Sequence, residues 1–146
     1  MTGEPYIQGQ LPYLDKAISW ASKYGLKVII DLHGAPGSQN GFDNSGHKVT
    51  HPGWHTEKDA VARTNAIVKT IALTYANNTN VVPAIAPLNE PAGFYDEMMP
   101  TVKQFWLDSY KNVRNLSPTQ QVSSIGPECI YARWLTFLTY RATPWS

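Results

Sequence analysis

The clearest indication of the fold is Lys27–His33, KVIIDLH, an apolar and β-branched run that ends in a histidine. A short continuous run of this kind is typical of a strand that is buried on both faces, as in a parallel sheet. A second apolar run, Val81–Leu88, is also predicted as a strand, although Pro83 and Pro87 weaken that prediction. Gln121–Ile125 is predicted as a third strand.

Helical patterns alternate with these runs. Apolar residues recur at steps of three and four from Leu11 to Ala21, and Gly25 follows as a typical stop. A second helix is predicted over Ala60–Ile71, opening near Thr56 as its N-cap, and a third begins at Pro100. This alternation indicates an α/β fold with parallel strands, whose functional site lies at the carboxyl ends of the strands.

Composition bounds the function. The chain has 146 residues, which suits one domain and falls well short of the roughly 250 residues of a complete (β/α)8 barrel. Its net charge of +1 excludes a broad electrostatic surface for nucleic acid or an anionic membrane. A single cysteine, Cys129, excludes an internal disulfide framework. No apolar run is long enough for a membrane span, and Met1–Gln10 does not resemble a secretory signal.

Two sequence features would meet at the carboxyl ends of the first two strands. One is the loop of about twenty residues that follows His33, since loops of that length are usually functional or disordered. The other is Asn89-Glu90-Pro91, where a partly desolvated carboxylate suits a general acid. Asn89 could bind a substrate hydroxyl, and Pro91 is expected to bias Glu90 toward an extended backbone. From position alone, Glu90 could equally cap a turn or pair with a lysine.

Histidines raise a second possibility, a metal site. His51 and His55 are four residues apart, but Pro52 and Gly53 between them argue against a helical ligand pair. We therefore expect no metal and no cofactor. His33 itself is equally consistent with a sugar-binding role and with a structural, hydrogen-bonded histidine.

These residues resemble a known family. Asp31–Gly46, DLHGAPGSQNGFDNSG, resembles the hallmark loop of the fungal exo-β-1,3-glucanases of glycoside hydrolase family 5. Leu88–Pro91, LNEP, resembles the acid/base motif of that family, and Pro5–Gln10 is similar to the segment before its third barrel strand. The loop is highly specific, whereas Asn-Glu-Pro recurs across many related glycosidases.

The resemblance implies a partial (β/α)8 barrel with about three of the eight βα units, and a retaining hydrolase that releases glucose from β-1,3-glucan. By motif, Glu90 would be the acid/base and Asn89 would bind the sugar 2-hydroxyl. His33 would lie in the sugar pocket, and Phe42 and Asn44 would shape its closed, exo-acting end. The family further implies an extracellular or cell-wall location, whereas the oligomeric state stays open.

The second carboxylate of a retaining site is not among the matched motifs. In the family the nucleophile is a glutamate on the seventh strand, whereas this sequence matches from about residue 5 to residue 122 and diverges over 123–146. We expect all of 1–146 to be a fragment of a catalytic barrel, with an exposed inner face and marginal stability. Glu128, the only acidic residue near the third strand end, does not match the nucleophile. The isolated chain is predicted to have no measurable glucosidase activity.

Two alternatives remain at this stage. One is another glycosidase of family 5, acting on cellulose or mannan; the loop favours the exo-glucanase over it. The other is a truncated, non-catalytic protein that binds β-glucan with half of a sugar pocket. Hydrolysis and saturable binding to insoluble glucan distinguish these readings.

Overall fold

Helices and strands alternate along the chain in a computed structural model that describes residues 6–123. The elements, in chain order, are α1 (Leu11–Lys23), β1 (Ile29–Asp31), α2 (Ala60–Tyr75), β2 (Ala84–Ala86), α3 (Met99–Leu116) and β3 (Gln121–Val122). The strands form one parallel sheet in the order β1-β2-β3. The predicted α/β alternation and the parallel sheet are therefore confirmed.

The strands are shorter than the apolar runs that predicted them. β2 occupies only the residues between Pro83 and Pro87, which have no N–H to donate to a ladder. The chain stays beside β1 after Pro87, because the Asn89 N–H donates to the Leu32 carbonyl at 2.9 Å. Residues 124 and 125 of the predicted third strand lie outside the described residues, as do Glu128 and the rest of the tail.

The two faces of β1 differ in burial, whereas β2 is buried throughout. Ile30 pairs with Ile85, and both are buried in the apolar layer that the helices cover. Ile29, one residue earlier, is on the opposite face and is 55% exposed. The prediction of a strand buried on both faces is therefore wrong for β1. The expected exposed inner face is seen only at Ile29 among the residues of β1 and β2, because its neighbours Ala84 and Ala86 on β2 are buried.

Two helix boundaries follow local backbone chemistry. α1 has a proline in its first turn, and Gly25, with φ of 67°, follows its end as predicted. The predicted N-cap Thr56 is wrong, since α2 begins at Ala60. Asp59 before it has φ of 64°, and this left-handed residue separates the preceding turns from the helix. Thr56 instead belongs to a turn, where its N–H and hydroxyl both donate to the Gly53 carbonyl.

The core lies between the sheet and α2 and α3. Trp54 is fully buried there and meets Phe105 edge to face, with ring centroids 5.2 Å apart. The Trp54 indole N–H donates to the Thr64 hydroxyl on α2 at 3.0 Å. Because Trp54 ends the long loop after β1, this contact fixes the far end of that loop to the helix layer.

Candidate active site

The candidate residues lie at the carboxyl ends of β1 and β2, which is the position that the sequence predicted for them. β1 leads into His33 and the long loop, and β2 leads into Asn89 and Glu90. The structure brings the loop across to the second strand: the Asn44 side-chain amide donates to Glu90 Oε2 at 3.0 Å, joining residues that are 46 positions apart. This contact unites the two motifs that the sequence identified separately.

Asn44 is itself held in place by a short chain of hydrogen bonds. Its Oδ1 accepts from the Asn40 side-chain amide at 3.1 Å, and the Asn40 Oδ1 accepts from the Phe42 backbone N–H at 2.9 Å. Asn40 is buried, and the 3₁₀ helix Asp43–Ser45 carries Asn44. The Asn44 amide therefore presents its Nδ2 to the carboxylate in one defined orientation.

The backbone of Glu90 differs from the expectation. Its φ is 45°, in the left-handed region that non-glycine residues rarely adopt, so the predicted extended backbone is wrong. Pro91 favours an extended backbone for the residue before it, so Glu90 adopts its left-handed conformation against that local preference. A residue in such a conformation persists only where its surroundings fix it, and such residues concentrate at functional sites.

His33 and Asp31 form a second polar pair at the end of β1. The His33 Nδ1 lies 2.6 Å from Asp31 Oδ2, and the imidazole is exposed on its other side, with 60% of the side chain open to solvent. A carboxylate only accepts, so Nδ1 carries the proton and Nε2 of the neutral ring is left as an acceptor. Asp31 Oδ1 is buried, with no hydrogen-bond partner among the described residues.

An aromatic surface borders the site. Phe42 stacks on Phe94 with centroids 6.2 Å apart and planes 16° apart, and Phe94 contacts Tyr95 at 4.6 Å. Phe42 is 47% exposed and Phe94 is 50% exposed. Sequence reasoning found Phe42 only through the loop motif, and it missed Phe94 and Tyr95, because single aromatics in a turn carry no periodic signal.

The long loop is built around buried polar side chains. Ser38 and Ser45 join their hydroxyls at 2.7 Å, and Ser38 Oγ also accepts from the Gly41 N–H. Gln39 is fully buried, and its side chain bonds to backbone groups after both β1 and β2. Asn89 is buried as well, with 4% exposure. Loops of this length are usually functional or disordered, and this one is ordered by hydrogen bonds between its own residues.

Residues 6–123 contain neither of two other kinds of feature. No three His, Cys, Asp or Glu side chains gather there as metal ligands would. No helix in that range is long and apolar enough to cross a membrane.

Comparison with known proteins gives a family match over most of the chain. The model of the cellulase family, glycosyl hydrolase family 5, matches residues 4–134. A glucan 1,3-beta-glucosidase of Blumeria graminis is 50% identical over 116 residues, which are 80% of this chain and 26% of the relative. Glucan 1,3-beta-glucosidase 1 of Schizosaccharomyces pombe is 50% identical over 117 residues, covering 79% of this chain and 28% of the relative. The chain thus spans about a quarter of the length of these curated relatives.

One solved structure supports the fold. The crystal structure of AoRut superposes with a TM-score of 0.72 at 23% identity, covering 86% of this chain and 39% of that one. This likeness concerns the fold alone, and it confirms the predicted partial (β/α)8 barrel.

Proposed function

This chain belongs to glycosyl hydrolase family 5, and we propose that it carries the acid/base half of a retaining exo-β-1,3-glucanase site. The observation that carries the proposal is the hydrogen bond between Asn44 and Glu90, because it joins the specific loop to the acid/base motif. Retaining glycosidases use two carboxyl groups about 5–5.5 Å apart, one as acid/base and one as nucleophile. Glu90 is the acid/base in this proposal.

The hydrogen bond also divides the roles of the two Glu90 oxygens. Oε2 accepts from Asn44, which leaves Oε1 to protonate the glycosidic oxygen as it departs. The same oxygen then takes a proton from the water that attacks the glycosyl-enzyme intermediate, and this step regenerates the acid. The Asn44 amide, a neutral donor, steadies the carboxylate form between these steps.

The remaining site residues bind the sugar. His33 offers Nε2 as an acceptor for a sugar hydroxyl, in the orientation set by Asp31. Asn89 binds the 2-hydroxyl beside Glu90, and Phe42 forms an apolar wall at the exo-acting end of the pocket, next to Asn44. Flat aromatic faces suit the apolar faces of sugar rings.

The nucleophile is expected from outside the matched motifs. Asp31 does not match the family's nucleophile, and its Oδ2 is bound by His33 at 2.6 Å. Glu128 lies outside the described residues and does not match the family's nucleophile. We therefore expect the 146 residues alone to hydrolyse no aryl β-glucoside, since a retaining site with one carboxylate cannot form the glycosyl-enzyme intermediate.

The test uses the protein at the length at which the cell makes it, found by intact mass with peptides from 28–44. It is offered β-1,3-glucan, cellulose and mannan, and the sugars released are identified. Glucose released from β-1,3-glucan alone supports the proposal. Preferential hydrolysis of cellulose or mannan supports another family 5 activity instead. Saturable binding to insoluble β-1,3-glucan without hydrolysis supports the non-catalytic alternative.

An extracellular or cell-wall location is part of the proposal, because a polymeric glucan is met there. Two Asn-x-Ser/Thr sequences provide its test. Asn77 is exposed in the turn after α2, whereas Asn115 lies in the last turn of α3 with Ser117 buried and Pro118 next. A secreted protein is expected to carry a glycan at Asn77 and none at Asn115. An unglycosylated Asn77 in protein from the growth medium would count against this expectation.

A further inference from the structure

Gln39 is a fully buried polar side chain at the junction of β1, β2 and the long loop. Its Nε2 donates to two backbone carbonyls, that of His33 at 3.0 Å and that of Asn89 at 2.9 Å. Its Oε1 accepts from the Ala35 N–H at 3.0 Å. One amide therefore satisfies three backbone groups of two chain segments that are about fifty residues apart.

The contacts of Gln39 enclose Glu90 on both sides along the chain. Asn89, the residue before Glu90, is held by the Gln39 side chain, whose amide donates to the Asn89 carbonyl. Two residues after Glu90, the Ala92 N–H donates to the backbone carbonyl of Gln39 at 2.9 Å. Glu90 lies between these two anchors with φ of 45°, a conformation that needs such support.

We propose that Gln39 is a positioning residue for Glu90, which fixes the backbone from which the acid/base carboxyl reaches the glycosidic oxygen. The inference rests on the proposed function. Gln39 touches no substrate in this role; it acts through the carbonyl of Asn89 and the amide of Ala92. Catalytic groups must hold their geometry within about 0.5 Å, and a misplacement of about 1 Å can cost on the order of a hundredfold in rate.

The chain offers a matched control at the other end of the same strand. Gln120 is also fully buried, and its Nε2 donates to the Val82 carbonyl at 2.9 Å, before β2 begins. Both glutamines support β2, but only Gln39 is bonded to the residues around Glu90. Replacing each by leucine separates positioning of the acid/base from support of the strand.

The experiment measures kcat/KM on two substrates with different leaving groups, using the protein at its native length. Laminaritriose has a sugar hydroxyl as its leaving group, so bond cleavage depends on proton donation. The 2,4-dinitrophenyl β-glucoside releases a stable phenolate, which departs without a proton. Because kcat/KM reports steps up to this first cleavage, a displaced acid slows the first substrate far more than the second.

Gln39→Leu is expected to lower kcat/KM for laminaritriose at least about tenfold more than for the dinitrophenyl glucoside. Gln120→Leu is expected to change the two values by the same factor. Gln39→Met, which keeps the length of the side chain, replaces the leucine variant if that variant does not fold. Equal losses on both substrates in the folded Gln39 variant would overturn the positioning role while leaving the proposed function intact. A parent protein that hydrolyses neither substrate would overturn the proposed function and, with it, this inference.

Discussion

The two ends of the sheet use the same means of stabilisation for different purposes. At the amino end, Gln120 bonds to the Val82 carbonyl, and Tyr75 donates to Asp15 at 2.8 Å, which ties α2 to α1. At the carboxyl end, Gln39 bonds to loop backbone, and Asn44 bonds to Glu90. At both ends these bonds satisfy buried polar groups, most of which are hydrogen-bonded in folded proteins.

The difference lies in what the contacts hold. At the amino end, they join one element to another, and their loss costs stability. At the carboxyl end, they hold a carboxyl in a rare backbone conformation, with one oxygen bound by an amide donor. Parallel α/β folds separate stability and function in this way, with the site at the carboxyl ends of the strands. Substitutions at the carboxyl end should therefore change activity, with or without a loss of stability, whereas substitutions at the amino end should change stability alone.

The largest effect is expected for Glu90→Gln. In the protein at its native length, loss of the proposed acid/base should lower the rate of β-1,3-glucan hydrolysis by about 10²–10⁴-fold, with little change in melting temperature. The matched control is Glu97→Gln, an exposed carboxylate in the following turn, which should leave the rate unchanged. A Glu90→Gln protein that hydrolyses glucan at the parent rate would contradict the assignment of the carboxyl end as catalytic.

The next effect is on stability, and it concerns the anchor of the carboxyl-end loop. Trp54→Ala removes a fully buried side chain that meets Phe105 and bonds to Thr64, so the free energy of unfolding should fall by about 3–5 kcal/mol. Chemical denaturation measures this loss. Trp20→Ala is the control, because Trp20 is exposed on α1. Similar losses in the two variants would mean that the loop is not anchored through Trp54.

The two buried glutamines, Gln39 and Gln120, test the difference between the two ends of the sheet with a smaller expected effect. Gln39→Leu leaves the Ala35 N–H and two carbonyls without this partner, and we expect a loss of about 2–4 kcal/mol in the free energy of unfolding. Gln120→Leu removes one donor to Val82 and also a buried oxygen, Oε1, that has no partner among the described residues, so the loss should be about 1 kcal/mol or less. Equal losses would show that the carboxyl end is no more tightly bonded than the amino end.

Sequence reasoning reached the fold through local patterns that the structure keeps. The apolar runs predicted where the strands lie along the chain, and Gly25 predicted the end of α1, because each signal depends on nearby residues. The exposure of Ile29 was not predictable in this way, since exposure depends on what covers each face of the sheet. The start of α2 at Ala60 follows the left-handed Asp59, and no capping pattern in the sequence predicts that backbone conformation.

For the candidate site, the sequence identified the groups but not their geometry. Glu90 and Asn44 stood out by motif, yet their contact depends on how a loop folds across two strands. The left-handed backbone of Glu90 departs from the local preference before proline, and the hydrogen bonds of Gln39 to Asn89 and Ala92 on either side of it are tertiary contacts that local sequence does not show. The roles of Glu90, His33, Asn89, Phe42 and Asn44 stay predictions.

The smallest predicted effect depends on pH and belongs to the amino end. Burial, followed by the hydrogen bond to Asp15 and its charge, raises the pKa of Tyr75 from 10.0 to about 12. The folded state therefore keeps the phenol proton between pH 10 and pH 12, where the unfolded state loses it, and the stabilisation falls as pH rises through that window. Tyr75→Phe should cost about 1 kcal/mol at pH 8, and the gap between variant and parent should shrink by pH 11. Tyr13→Phe, at an exposed position on α1, controls for general alkaline effects. A gap that widens with pH would contradict the raised pKa of Tyr75, which burial and Asp15 cause, and with it the contact between α1 and α2.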